Sequence, residues 1–95
     1  MTDERLEMTA LISAKPGKEA ELKAALREVV AETVKEPGCI MFQVLEDLEN
    51  PGRFVLWEIF KSREALREHM NKDYTKAYFA KGFMDQTHVM KLKTI

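Results

Sequence analysis

With a single cysteine, Cys39, the chain can close no internal disulfide and build no cysteine-based zinc site. Charge of either sign is not in excess: fifteen Lys and Arg face sixteen Asp and Glu, for a net charge of −1. No basic stripe with interleaved aromatics appears, which argues against a nucleic-acid partner. Apolar runs such as Phe54-Val-Leu-Trp57 are far too short to span a bilayer, so no membrane association is expected. Asp3, Glu4, Arg5 and Glu7 interrupt the start of the chain, which is unlike a secretory leader. The expected compartment is the cytoplasm. Only two histidines occur, His69 and His88, nineteen residues apart and without a clustered carboxylate, so no metal site is expected. A glycine-rich phosphate loop and a nucleophilic Ser or Cys motif are also missing, and no cofactor is expected.

What remains is an ordinary globular balance, 45% hydrophobic and 33% charged, enough for one domain over residues 1–95 with a modest core. Leu6 to Ala14 alternates with period two and predicts a strand, which Lys15-Pro-Gly breaks. From Lys18 to Lys35, Leu22, Leu26, Val29, Val30, Thr33 and Val34 form one helical stripe, and Pro37-Gly38 ends it. Cys39–Glu46 and Arg53–Phe60 read as strands around the turn signal Asn50-Pro-Gly. Ser62 is placed to cap a helix through Met70, and further helical turns run from Asp73 to Gly82. Gln86 to Thr94 closes the pattern as a last strand. The order βαββαβ predicts an α+β, ferredoxin-like sandwich: a four-stranded antiparallel sheet with helices on one face.

The central hairpin is apolar on both faces. Val55, Trp57 and Ile59 point one way, while Phe54, Leu56 and Phe60 point the other; Ile40, Phe42 and Val44 likewise oppose Met41 and Leu45. Helices cover one face only, so the other would be an exposed apolar patch on a monomer. Sheet-against-sheet packing in an isologous homodimer resolves this.

The stripe Ala65-Leu66-His69 delivers a group that titrates near neutral pH to the interior. His69 is accordingly the candidate proton acceptor, although a core histidine satisfied by one hydrogen bond fits the same pattern. Glu58 shares the strand face of Phe54, Leu56 and Phe60, where a buried carboxylate requires a partner. It is a candidate to orient His69, or else a structural acid bonded to an amide or a lysine. Tyr74 and Tyr78, one turn apart, could offer hydroxyls to a ligand. Met41, Met70, Phe79, Phe83 and Met84 could supply adaptable apolar walls, or simply core. His88 is expected to face solvent or a dimer partner, and Glu64 and Glu68 a solvated surface.

Several segments together resemble the antibiotic biosynthesis monooxygenase (ABM) domain, of the dimeric α+β barrel group. They are Lys15-Pro-Gly-Lys-Glu-Ala-Glu-Leu22, Glu36-Pro-Gly-Cys39, Glu49-Asn-Pro-Gly-Arg-Phe54, and Trp57-Glu58 followed by Ser62-x-Glu-Ala-Leu-x-x-His69. The resemblance implies a ferredoxin-like homodimer. It implies no single reaction, because the family includes cofactor-independent quinol and polyketide monooxygenases, haem-degrading enzymes, an isomerase and proteins without an assigned reaction. The haem-degrading branch has a histidine ligand where Phe79 stands, an asparagine at Thr9 and a tryptophan at His69, so haem degradation is not expected here. The commoner motif Ser-x-His-Phe is replaced by Lys72-Asp-Tyr74-Thr75, which removes a second histidine. The expectation is a cofactor-free oxidation of a small quinol-like or polycyclic phenolic molecule. The alternatives are a binding or stress-related protein without catalysis, or an isomerase of a small metabolite.

Overall fold

The structure is a computed structural model that describes residues 5–95. Strand β1 (Leu6–Ala14), helix α1 (Glu19–Thr33) and the hairpin β2 (Cys39–Glu46) and β3 (Arg53–Phe60) are followed by α2 (Arg63–Met70), α3 (Asp73–Ala80) and β4 (Met84–Leu92). All pairings are antiparallel, and the strands lie in the order β2-β3-β1-β4. This is the expected ferredoxin-like α+β fold, with its second helical region in two pieces, α2 and α3.

The even-numbered side chains of β1 and β3 point at the helices. Ala10, Ile12 and Phe54 pack with Leu22 and Leu26 of α1 in one cluster, and Phe42 and Phe60 pack with Val29 in a second. Val34, read as part of the α1 stripe, lies beyond the helix and is exposed, while Thr33 is fully buried. The register of β2 slips between Cys39 and Met41, so Cys39 pairs with Phe60 and Met41 with Ile59. Ile40 is the extra residue. A bulge of this kind turns a side chain away from its alternating face, and Ile40 is exposed rather than in the core with Phe42.

Two local devices place α2. Ser62 caps it, its hydroxyl accepting from the Ala65 N–H at 3.1 Å. At the start of β2, Gly38 lies against Ala65; a Cβ there would overlap the Ala65 Cβ. The missing side chain lets α2 settle directly on the sheet, and α2 carries His69.

Candidate active site

Between α1, α2, α3 and the covered sheet face lies a cavity of about 360 Å³. Its walls are almost wholly apolar: Ala10, Leu26, Val29, Phe42, Leu56 and Met84 are among them. Five polar residues also line it, namely Glu58, His69, Thr75, Tyr78 and Thr87. Met70, Phe79 and Val89, all about half exposed, form its rim on the side toward β4. A larger depression of about 760 Å³ lies across the opposite sheet face, where Arg53, Asp85 and His88 help to line it. That depression carries no buried titratable group, whereas the inner cavity carries two, Glu58 and His69, so the inner cavity is the candidate site.

His69 is the one buried residue of α2. Its ring lies between Phe42 and Phe60, with centroids 5.3 and 5.1 Å away. Its Nδ1 is 2.9 Å from Oε2 of Glu36, a carboxylate that is itself 8% exposed. The Tyr74 hydroxyl donates to the same Oε2. With that oxygen accepting, Nδ1 carries the proton and the imidazole lone pair is on Nε2. A histidine oriented from behind by a carboxylate, with its other nitrogen left for a cavity it lines, is arranged to accept a proton there. Burial, and secondarily the bond to Glu36, pushes the Tyr74 phenol well above its usual range, so Tyr74 stays a donor.

The carboxylate behind His69 is therefore Glu36 and not Glu58. Glu36 precedes the Pro37-Gly38 turn, and its backbone N–H donates to Thr33 O at 3.0 Å, continuing the last turn of α1 inward. The signal was present in the sequence: Leu22, Leu26, Val29, Thr33 and Glu36 follow one another at three and four, so Glu36 is the next position on the buried stripe.

Glu58 lies elsewhere on the cavity wall, between Met8 and Phe42 in strand register. It is 7% exposed and has no ion pair among the described residues. Burial alone pushes its carboxyl up to about 7. Of the expected ligand-contacting residues, Tyr78, Phe79 and Met70 line the cavity. Tyr74 is turned to Glu36, and Phe83 packs on the core beside Lys18, so neither borders it. Met41 is likewise absent from its walls, while Met84 is present. Burial raises the Tyr78 phenol to about 12, and its hydroxyl reaches Met84 Sδ at 3.7 Å. Among the described residues, no group of three His, Cys, Asp or Glu side chains is arranged to hold a metal.

The profile of the antibiotic biosynthesis monooxygenase family matches residues 6–81. The chain belongs to that family. A Shewanella oneidensis protein of known structure is 28% identical and superposes with a TM-score of 0.85, covering 96% of this chain and 91% of its own. A Pseudomonas aeruginosa structure, 23% identical, shares the fold with a TM-score of 0.91 over 100% of this chain and 98% of its own. An uncharacterized Synechocystis protein is 28% identical over 80 residues, which are 84% of this chain and 54% of that protein. The ABM chain thus spans about half the length of the curated relatives it matches. No helix among the described residues is long and apolar enough to cross a membrane.

Proposed function

We propose that this ABM protein is a cofactor-independent monooxygenase acting on a quinol-like or polycyclic phenolic molecule, with His69 as general base. The observation that carries the reading is the Glu36–His69 pair at the wall of an apolar cavity. Dioxygen accepts an electron far more readily from a phenolate or enolate than from the neutral compound. The protein's work is then to remove one proton, exclude water and hold the ring beside dioxygen. His69 Nε2 takes the proton, Glu36 keeps the charge developing on the imidazolium in place, and the apolar walls shield the anion. For an anthrone-type substrate the balance closes without a co-reductant: CH₂ becomes C=O, one atom of dioxygen enters the product, and the other leaves as water.

The fold and the family support a monooxygenase in general; the cavity's size and lining support a small aromatic substrate. We further propose a homodimer that packs its uncovered sheet faces together. Leu11, Leu45 and Trp57 are 46%, 46% and 41% exposed on that face, with Met90 and Leu92 beside them. They share the face with polar Glu7, Thr9, Gln43 and His88, and their joint exposure on an uncovered sheet is what a second copy would bury.

Oxygen uptake with a panel of hydroquinones, naphthols and anthrones tests the reaction. Uptake by the purified protein that His69→Ala lowers by about 10²–10⁴-fold is the expected result. Saturable binding of the same compounds without any uptake would favour a binding protein instead.

A further inference from the structure

Glu58 is a buried acid that the His69–Glu36 pair does not use. It lines the same cavity as His69, and no lysine or arginine lines that cavity among the described residues. An ionised carboxylate held among apolar side chains without a counter-charge is disfavoured, and the group avoids the penalty by keeping its proton. A protonated carboxyl is an O–H donor, and a carboxylate is an acceptor only. We propose that Glu58 is the specificity-determining donor of the cavity, giving a hydrogen bond to a carbonyl oxygen of a small, neutral, flat ligand. This inference rests on the cavity being the ligand site, and not on the oxidation chemistry assigned to it. An anionic ligand is disfavoured at the same site, since the walls are largely apolar and no lysine or arginine among the described residues lines them to offset its charge.

His69 of α2, backed by Glu36 from the turn after α1, lines the cavity with Glu58. From β2, Cys39 is close enough for the Glu58 charge to raise its thiol, after burial and Glu36. α3 contributes Tyr78, which stays a neutral phenol. From α1 the wall is Leu26 and Val29, without charge. On the sheet, Lys91 shares the face two strands away, opposite Met8, and is exposed. With the Glu58 carboxyl pushed up to about 7, the donor is present below that pH and lost above it.

The test is calorimetric binding of 1-tetralone, a two-ring ketone with no ionisable group, against tetralin, its counterpart without the carbonyl. Tetralone should bind about tenfold or more tighter at about pH 5.5 than at about pH 8.5, and tetralin should be flat. Glu58→Gln, which keeps an N–H donor at every pH, should bind tetralone without that dependence. His69→Ala should keep it. The inference is overturned by a flat tetralone profile, by equal affinity for tetralin at low pH, or by a dependence that survives in Glu58→Gln or vanishes in His69→Ala. Absence of saturable tetralone binding overturns it too. Oxygen uptake is read separately: pH-dependent tetralone binding without uptake of oxygen by any phenol sinks the monooxygenase reading and leaves Glu58 as the donor. Uptake with a flat tetralone profile does the reverse.

Discussion

His69, Glu36 and Tyr74 form a chain of side chains whose members should differ sharply when removed singly. Glu36→Gln replaces an acceptor-only oxygen pair with an amide, so the imidazole is no longer held with its lone pair on Nε2. A rate loss of about 10²-fold or more is expected, with the fold retained by circular dichroism. Tyr74→Phe removes only a second donor to Glu36 and should cost about 0.5–1.5 kcal/mol of stability with a small change in rate. Equal rate losses in the two variants would contradict this division. Of the three, His69 was legible from the spacing Ala65-Leu66-His69. Glu36 was not, because the last apolar residue of the stripe is Val34 and an acid beyond a helix is ordinarily solvated. Position on the stripe, rather than residue type, was the better guide. Glu58 was legible as a buried acid but not as an unpaired one, since pairing depends on contacts across three strands. Its raised carboxyl also has a consequence for stability. Between about pH 4.5 and about 7 the folded state holds a proton that the unfolded chain has released, so stability falls as pH rises through that window. Thermal unfolding should show a loss of up to about 3 kcal/mol from pH 4.5 to pH 8 that Glu58→Gln removes.

At the scale of elements, the site depends on how closely α2 sits on the start of β2. Gly38→Val would place a branched side chain where Ala65 already lies, and either the turn or α2 must move. Destabilisation of about 1–3 kcal/mol is expected, with activity falling further than stability because His69 and Glu36 come from the two sides of that contact. Ser62→Ala removes the α2 cap and should cost about 1 kcal/mol in chemical denaturation without affecting the cavity. Period-two and period-3.6 patterns made the existence and order of the elements legible, and that order predicts the ferredoxin-like fold, although the last strand, expected at Gln86 to Thr94, runs over Met84–Leu92. The bulge at Ile40 was not legible, because a one-residue register slip leaves the composition of a strand unchanged. Splitting of the second helical region was visible in Asn71-Lys72-Asp73, where polar residues interrupt the apolar spacing.

For the whole molecule, the sheet has one face covered by helices and one left apolar. Trp57 on that open face donates to Glu7 at 2.8 Å, so its ring is fixed in place rather than free to fold over the patch. Sedimentation equilibrium should return twice the 11.0 kDa chain mass at micromolar concentration, and Trp57→Lys should shift it toward the monomer. A monomeric parent protein would overturn the proposed dimer. The inner cavity and the outer patch lie on opposite sides of one sheet, so the dimer proposed here leaves the rim of Met70, Phe79 and Val89 open to ligand. The central claim is oxidation by dioxygen within that cavity, and isotope labelling tests it most directly. Under ¹⁸O₂, with purified protein and an oxidisable anthrone or hydroquinone, the product should carry one labelled oxygen atom, and His69→Ala should form almost none of it. A product that forms at the parent's rate in His69→Ala, or that carries no labelled oxygen, would contradict the account.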